Sequence, residues 1–457
     1  MTRRTSIVSM VCIAIAASVA IHQRPANAQA IDWTAVGNEA TRILQEYVRI
    51  DTSNPPGDTR KAADFLAGIL EREGMPVTRY ESAPGKAIVM ARLKTGVSPA
   101  AGKPILLLQH MDVVPADRTR WKMDPFAATI QNDELHGRGA FDMKSLGVAH
   151  LMAFLLLKRQ HAQSARDVIL LAEPDEEVGG AMGARWMIAN HYTELDPEYV
   201  LDEGGFGSRD LLEPGKLVYG ISNAEKKIVW LKVRAEGVAG HGSQPHDQNP
   251  NIRLLRGLNR LLADQPAPPL AERFTSAIQH STIAVTWVRS GVGDPPKINV
   301  IPSVAEAGLD CRVLPGTTRD QWIGEVKRRL DDPSLSIEVI NESDDPMVTP
   351  PETSLYRNLE AAIMRRHPDA TVKPILIPYG TDSNAFRPRG AKSYGIFPAI
   401  IPAAVLAEMH GDAERVPLEA VREAIQVLFE TLRDTVSPTR SFRAVPDDES
   451  GDPPFDG

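Results

Sequence analysis

Val168-Ile169-Leu170-Leu171-Ala172 is an unbroken apolar run that ends abruptly in Glu173-Pro174-Asp175-Glu176-Glu177. A half-exposed strand alternates apolar and polar residues, whereas an uninterrupted run suits a strand covered on both faces. Ile105-Leu106-Leu107-Leu108-Gln109 repeats the pattern and ends in His110-Met111-Asp112. Apolar periodicity predicts helices over 33–48, 61–73, 144–159 and 181–190, with strands over 87–93, 105–109, 168–172 and 199–201. This alternation predicts an α/β domain with a largely parallel central sheet.

The pattern changes near Leu217. Residues 227–235 alternate apolar and charged, as in a half-exposed antiparallel strand. A helix over 251–262, strands over 282–288 and 306–314, a helix over 319–330 and a strand over 336–340 complete a β-α-β-β-α-β order. That order is the ferredoxin-like unit. Helix–strand alternation resumes at Ser354, and the last helix covers 418–435. The 457 residues therefore divide into a discontinuous α/β domain (31–220 and 345–436) and an inserted α+β domain (221–344).

Both ends read differently. Arg3 and Arg4, an apolar run over 7–21 and Ala26-Asn27-Ala28 have the layout of a secretory signal peptide, 1–28, cut after Ala28. The run falls short of the roughly 20 residues of a comfortable span, so no stable membrane span is expected after processing. The protein is then periplasmic or secreted. Residues 437–457 are expected to be a disordered tail. Cys12 lies in the signal, which leaves Cys311 alone and most simply a small core residue. A net charge of −8 argues against a nucleic-acid partner.

The chemistry gathers where apolar segments end. His110 and Asp112 lie two apart, which on a strand gives them one face. A metal-bound histidine usually donates its second ring N–H to a carboxylate or carbonyl, although a partnered histidine at a strand end looks the same. Gly137-Arg138-Gly139-Ala140-Phe141-Asp142-Met143-Lys144 puts a carboxylate in a tight loop at a helix start. Four acids follow the 168–172 run, Asp202-Glu203 follows a third strand, and Met409-His410-Gly411-Asp412 comes late. In an open α/β sheet the carboxyl ends of the strands line one crevice. Acids massed there need cations, and two histidines with several carboxylates suit one or two zinc ions.

The chain resembles the M20 family of zinc metallopeptidases, the relatives of aminoacylase, succinyl-diaminopimelate desuccinylase, glutamate carboxypeptidase and carboxypeptidase S. The resemblance runs from about residue 40 to 432 through HMDVVP, GRGAFDMK, DEEVGG, LDEGG, GHGSQPH, NVIP, DCRVLPG, GTDS and HGDAERV. With Trp121 and Asp124-Pro125-Phe126, it is nearest the carboxypeptidase S and general peptidase branch. It implies a zinc-peptidase-like catalytic domain and makes the inserted domain a lid and dimerisation unit.

Two zinc ions are implied, with cobalt or manganese as substitutes. His110 would bind one metal with Asp112 behind it, and Asp142 would bridge both. Glu177 and His410 would hold the second metal, and Asp202 would complete the first site with His110. Glu176 would be the general base. In the lid, His241 would polarise the scissile carbonyl, often in the other subunit of a dimer; alone, a glycine-flanked histidine also suits a turn. Asn299, Arg312, Gly380 and Thr381 fall at substrate-binding positions. Arg312 would grip a carboxylate or form a salt bridge within the lid sheet. Some relatives carry an Arg two residues after the Asp of the GTD loop, where this chain has Asn384; its nearest Arg there is Arg387.

The reaction expected is hydrolysis of an amide next to a free carboxylate, in dipeptides or short peptides. The alternative within enzymes is an N-acyl-amino-acid deacylase. A metal-dependent binding protein without turnover would have lost the base or a ligand, and here all are present.

Overall fold

The computed structural model describes residues 30–437, apart from 97–99, 101, 163, 264, 266–267 and 270–271. The signal-peptide and tail expectations fall outside these residues, except for Ser437. Twelve strands carry the architecture: β1 (Val77–Glu81), β2 (Ala87–Leu93), β3 (Ile105–His110), β4 (Val168–Glu173), β5 (Tyr199–Ser208), β6 (Val218–Glu225), β7 (Lys227–Glu236), β8 (Thr282–Ser290), β9 (Val304–Val313), β10 (Leu335–Glu342), β11 (Thr371–Ile377) and β12 (Lys392–Ile400). Eight form the central sheet, in the order β1-β2-β4-β3-β5-β12-β6-β11. Its middle, β4-β3-β5-β12, is parallel throughout. Every residue of β3 and β4 is buried, as their unbroken apolar runs require.

Helices cover the sheet. Leu146–Arg159 is buried over its whole circumference from Leu146 to Leu157, and Leu418–Val436 packs along it. With the turn that precedes it, Ala140–Arg159 is long and apolar enough to cross a membrane, yet it is 94% buried inside the fold. Helix Trp33–Val48 starts at Asp32, whose carboxylate accepts the N–H groups of Thr34 and Ala35.

The segment 227–342 forms a separate antiparallel sheet, β8-β9-β7-β10, with helices Pro250–Leu262 and Arg319–Leu330. This is the ferredoxin-like order. Along β7 each inward residue from Lys227 to Ala235 is buried and its neighbour is not. Val229, Leu231 and Val233 meet Leu254, Leu258, Trp322 and Val326 in one core. Cys311 is fully buried there, and burial pushes its thiol up to about 12.

Two sequence expectations need correction. The helix expected from 144 begins at Leu146, because 140–145 winds a wider turn around Asp142 and Met143. The strand expected over 199–201 runs on through Asp202-Glu203-Gly204-Gly205 to Ser208. Its extension is possible because β12 offers Gly395, where a Cβ would lie 1.8 Å from the Glu203 carbonyl oxygen.

Candidate active site

The parallel strands deliver their carboxyl ends to one edge. His110 is the last residue of β3, and β4 ends at Glu173, three residues before Glu176. Glu203 lies on β5. His410 arrives from the turn after β12 and helix Ala403–Leu406. Glu176, Glu203 and His410 floor a cleft of about 270 Å³ that β7, β9 and β10 wall with Trp230, Asp310, Arg312 and Asn341, and His110 lies buried against Asp142 of that floor.

Asp142 is the centre of the floor. Its Oδ1 lies 3.3 Å from His110 Nε2, and its Oδ2 lies 3.1 Å from His410 Nε2. The second contact of His410 Nε2 is Glu177 Oε2, at 3.3 Å. The other ring nitrogen of His110, Nδ1, is 2.9 Å from the Asp112 carbonyl and 3.6 Å from its carboxylate. Glu177 is oriented by Val114, whose N–H donates to Oε1 at 3.2 Å. His110, Asp142 and Glu177 present ligand atoms close enough for one ion, and so do His110, Glu176 and Glu203.

The electrostatics demand cations. Burial pushes the carboxyl groups of Glu176 and Glu203 well above their ordinary range, and their acidic neighbours push them further. Burial raises Glu177 too. Partial burial pulls the His410 ring down, but Asp142 and Glu177 outweigh it and lift it to about 11. His110 is likewise raised, its burial overcome by Asp112 and Asp142. Four carboxylates and two imidazoles facing inward form a donor set that fits divalent metal.

One expected residue is misplaced. Asp202 does not face the His110 ring. Its Oδ2 accepts both the N–H and the hydroxyl of Ser383, each at 2.9 Å, and its Oδ1 accepts the Glu203 N–H at 2.8 Å. Glu203 takes its place, with Oε1 3.6 Å from His110 Nε2. Both acids are visible in LDEGG, but choosing between them requires the position of Ser383.

The lid residues divide. His241 and Asn299 sit outside the cleft at an exposed edge. His241 pairs across Gly240–His241 with Val300, while its Nδ1 is 2.7 Å from the Ser243 hydroxyl. The Asn299 carbonyl accepts the Gly242 N–H at 2.7 Å. Arg312 does line the cleft, in a two-pronged pair with Asp310 at 2.8 and 3.1 Å, so the salt-bridge alternative describes this structure. Gly380 and Thr381 line the opposite wall, and the Thr381 N–H donates to Glu225 Oε2 at 2.6 Å. Arg387 cannot replace the missing Arg at 384, because it is buried against Glu225 behind that wall. The lining arginines are Arg185 and Arg312.

Three further residues shape the site. Glu414, fully buried, accepts the N–H groups of Gly139, Phe141 and Asp142 at 2.9–3.1 Å and pairs with Arg138 at 2.5 Å. It joins the His410 turn to the Asp142 loop. Arg138 in turn stacks over Trp121 at 5.4 Å, which explains why the Trp121–Phe126 segment accompanies GRGAFD. Tyr379 lines the cleft and donates its hydroxyl to the Gly204 carbonyl.

A family model described as peptidase family M20/M25/M40 matches residues 106–434. Aminoacylase-1 of Dictyostelium discoideum is 28% identical over 385 residues, covering 79% of this chain and 89% of that protein. A probable carboxypeptidase S-like protein of the same organism is 26% identical, covering 73% and 72%. Among solved structures, an M20 family metallo-carboxypeptidase from Sulfolobus solfataricus superposes with a TM-score of 0.67 at 20% identity, covering 86% of this chain and 98% of that one. A dipeptidase from Saccharomyces cerevisiae gives 0.71 at 14%, covering 89% and 99%.

Proposed function

The chain belongs to peptidase family M20/M25/M40, and on that footing we propose that it is an exported two-zinc hydrolase cleaving dipeptides or short peptides next to a free C-terminal carboxylate. It is an enzyme of the metallopeptidase and amidohydrolase type. The observation that supports two metals is Asp142, whose two oxygens face different histidines. His110 and Glu203 would hold one ion, His410 and Glu177 the other, and Asp142 both.

Bound zinc supplies a Lewis acid for the amide carbonyl and lowers the pKa of a bound water from about 15.7 toward roughly 7. Cobalt or manganese would serve the same donor set. Glu176 takes the proton of the attacking water and passes it to the leaving amine. Its raised carboxyl suits that exchange. Arg312 or Arg185 receives the substrate carboxylate by exchanging its aspartate partner. Residues 221–344 close over the substrate and exclude water. The lid also forms a homodimer that carries His241 to the partner's cleft, and the protein works outside the cytoplasm. A monomer on a sizing column would exclude that role for His241.

N-acyl-amino-acid deacylation is the second reading, favoured by the likeness to aminoacylase-1 over most of its length. The test is amine release by the zinc-loaded protein from dipeptides, C-amidated dipeptides and N-acyl amino acids, with Glu176→Gln alongside. Release from free-carboxylate peptides, absent in the variant, supports the peptidase reading. Release confined to acyl amino acids supports the deacylase, and an active Glu176→Gln would sink the mechanism.

A further inference from the structure

We propose that Lys86, Asn54 and Asp175 form a positioning relay that fixes the backbone of Glu176 against Asp112. The inference rests on the reading of Glu176 as the base.

Glu176 is held from two sides. Its own N–H donates to Asp112 Oδ1 at 3.2 Å. The residue before it, Asp175, has φ +81°, in the left-handed region that residues other than glycine adopt infrequently. A side chain must hold such a backbone in place, and the Asp175 carboxylate is held at both oxygens. Oδ1 lies 2.8 Å from Lys86 Nζ and 3.3 Å from Asn54 Nδ2, while Oδ2 accepts the Met182 N–H at 3.1 Å.

Asn54 then joins this carboxylate to the one behind His110. Its Nδ2 also donates to Asp112 Oδ2 at 2.8 Å, and its Oδ1 accepts from Lys86 Nζ at 3.3 Å. One amide therefore spans two buried carboxylates, and one ammonium, 13% exposed, supplies the countercharge. Space for this contact is kept by Gly57 (φ +67°), where a Cβ would lie 2.4 Å from Lys86 Nζ and 2.6 Å from Asn54 Cγ. The loop itself is pinned by the Asn54 N–H, which donates to the Val113 carbonyl at 2.9 Å.

None of the three relay residues lines the cleft, so they act on the reaction only through the placement of Glu176 and Asp112. A misplacement of about 1 Å at a reacting group can cost roughly a hundredfold in rate.

The test uses Lys86→Met, Asp175→Gly, their double variant and Glu176→Gln in the full zinc-loaded chain. Glycine relieves the left-handed backbone but removes the carboxylate, so Asp175→Gly separates the two roles. Expected for each single variant is a kcat lower by about tenfold to a hundredfold, with KM and metal content unchanged. Faster hydrogen exchange across residues 173–180 should accompany it. The double variant should be no worse than the poorer single one, because both break the same relay. Wild-type kcat in either single variant, beside an inactive Glu176→Gln, overturns the relay and leaves the base reading standing. Multiplying losses, or metal lost from the variants, also overturn it. An active Glu176→Gln removes the base reading and the relay with it.

Discussion

Ser383 donates both its N–H and its hydroxyl to one oxygen of Asp202, each at 2.9 Å. This double contact ties the loop after β11 to β5 and leaves Glu203 to face His110 at 3.6 Å. The two neighbouring acids should therefore fail differently. Glu203→Ala is expected to lower metal affinity by more than about a hundredfold, since it removes a direct donor. Asp202→Asn should leave metal affinity unchanged and instead loosen the 380–384 loop. Chelator competition with a chromophoric indicator measures both. Equal metal loss in the two variants would contradict the assignment.

Much of this site was legible in the sequence because it lies at strand ends. His110, Asp142, Glu176, Glu177 and His410 each adjoin a strong apolar segment, and the structure gathers all five around one cleft. The choice of Glu203 over Asp202 was not legible, because it is set by Ser383, which binds Asp202 from 181 residues further along the chain. Glu414 was hidden for the same reason: its carboxylate serves the Asp142 loop 272 residues earlier in the chain. In the fold, β3, β4 and β7 followed from local pattern. β6 and β12 did not, since Val218–Glu225 mixes glycine, serine, asparagine and glutamate into a strand that is buried throughout. Partners across the sheet, rather than its own periodicity, make it a strand.

Glu414 predicts a large stability effect. Leucine in its place leaves the Arg138 guanidinium buried without its carboxylate and leaves three loop N–H groups without their acceptor. Removing one partner of a buried pair costs about 3–5 kcal/mol. Glu414→Leu should lose about that in chemical denaturation, and Arg138→Met/Glu414→Leu should recover part of it. A loss below about 1 kcal/mol would contradict the tethering role.

Metal removal should destabilise the fold as well as stop turnover. Asp142, Glu176, Glu177 and Glu203 face one another across the cleft floor, and bound cations relieve their repulsion. A ligand present at about 1,000 times its Kd stabilises the folded state by about 4 kcal/mol. Calorimetry before and after chelation should show a lower melting temperature, restored by zinc. An unchanged melting temperature would mean that the donors do not bind metal in the folded state.

His150 gives a pH signature separate from catalysis. It lies fully buried in helix Leu146–Arg159, and burial lowers its ring from 6.5 to about 4. Between those values the unfolded chain binds one more proton than the fold, so stability rises with pH across this window. The contribution is fully present above about pH 6.5, falls as the pH drops, and has gone by about pH 4. A difference of that size is worth about 3 kcal/mol. His150→Leu keeps the volume and removes the proton site. Other acids titrate in the same range, so the informative quantity is wild-type stability minus variant stability at each pH. That difference should climb by about 3 kcal/mol from pH 4 to 6.5 and stay flat above 7. A flat difference throughout would show that the ring takes up its proton within the fold.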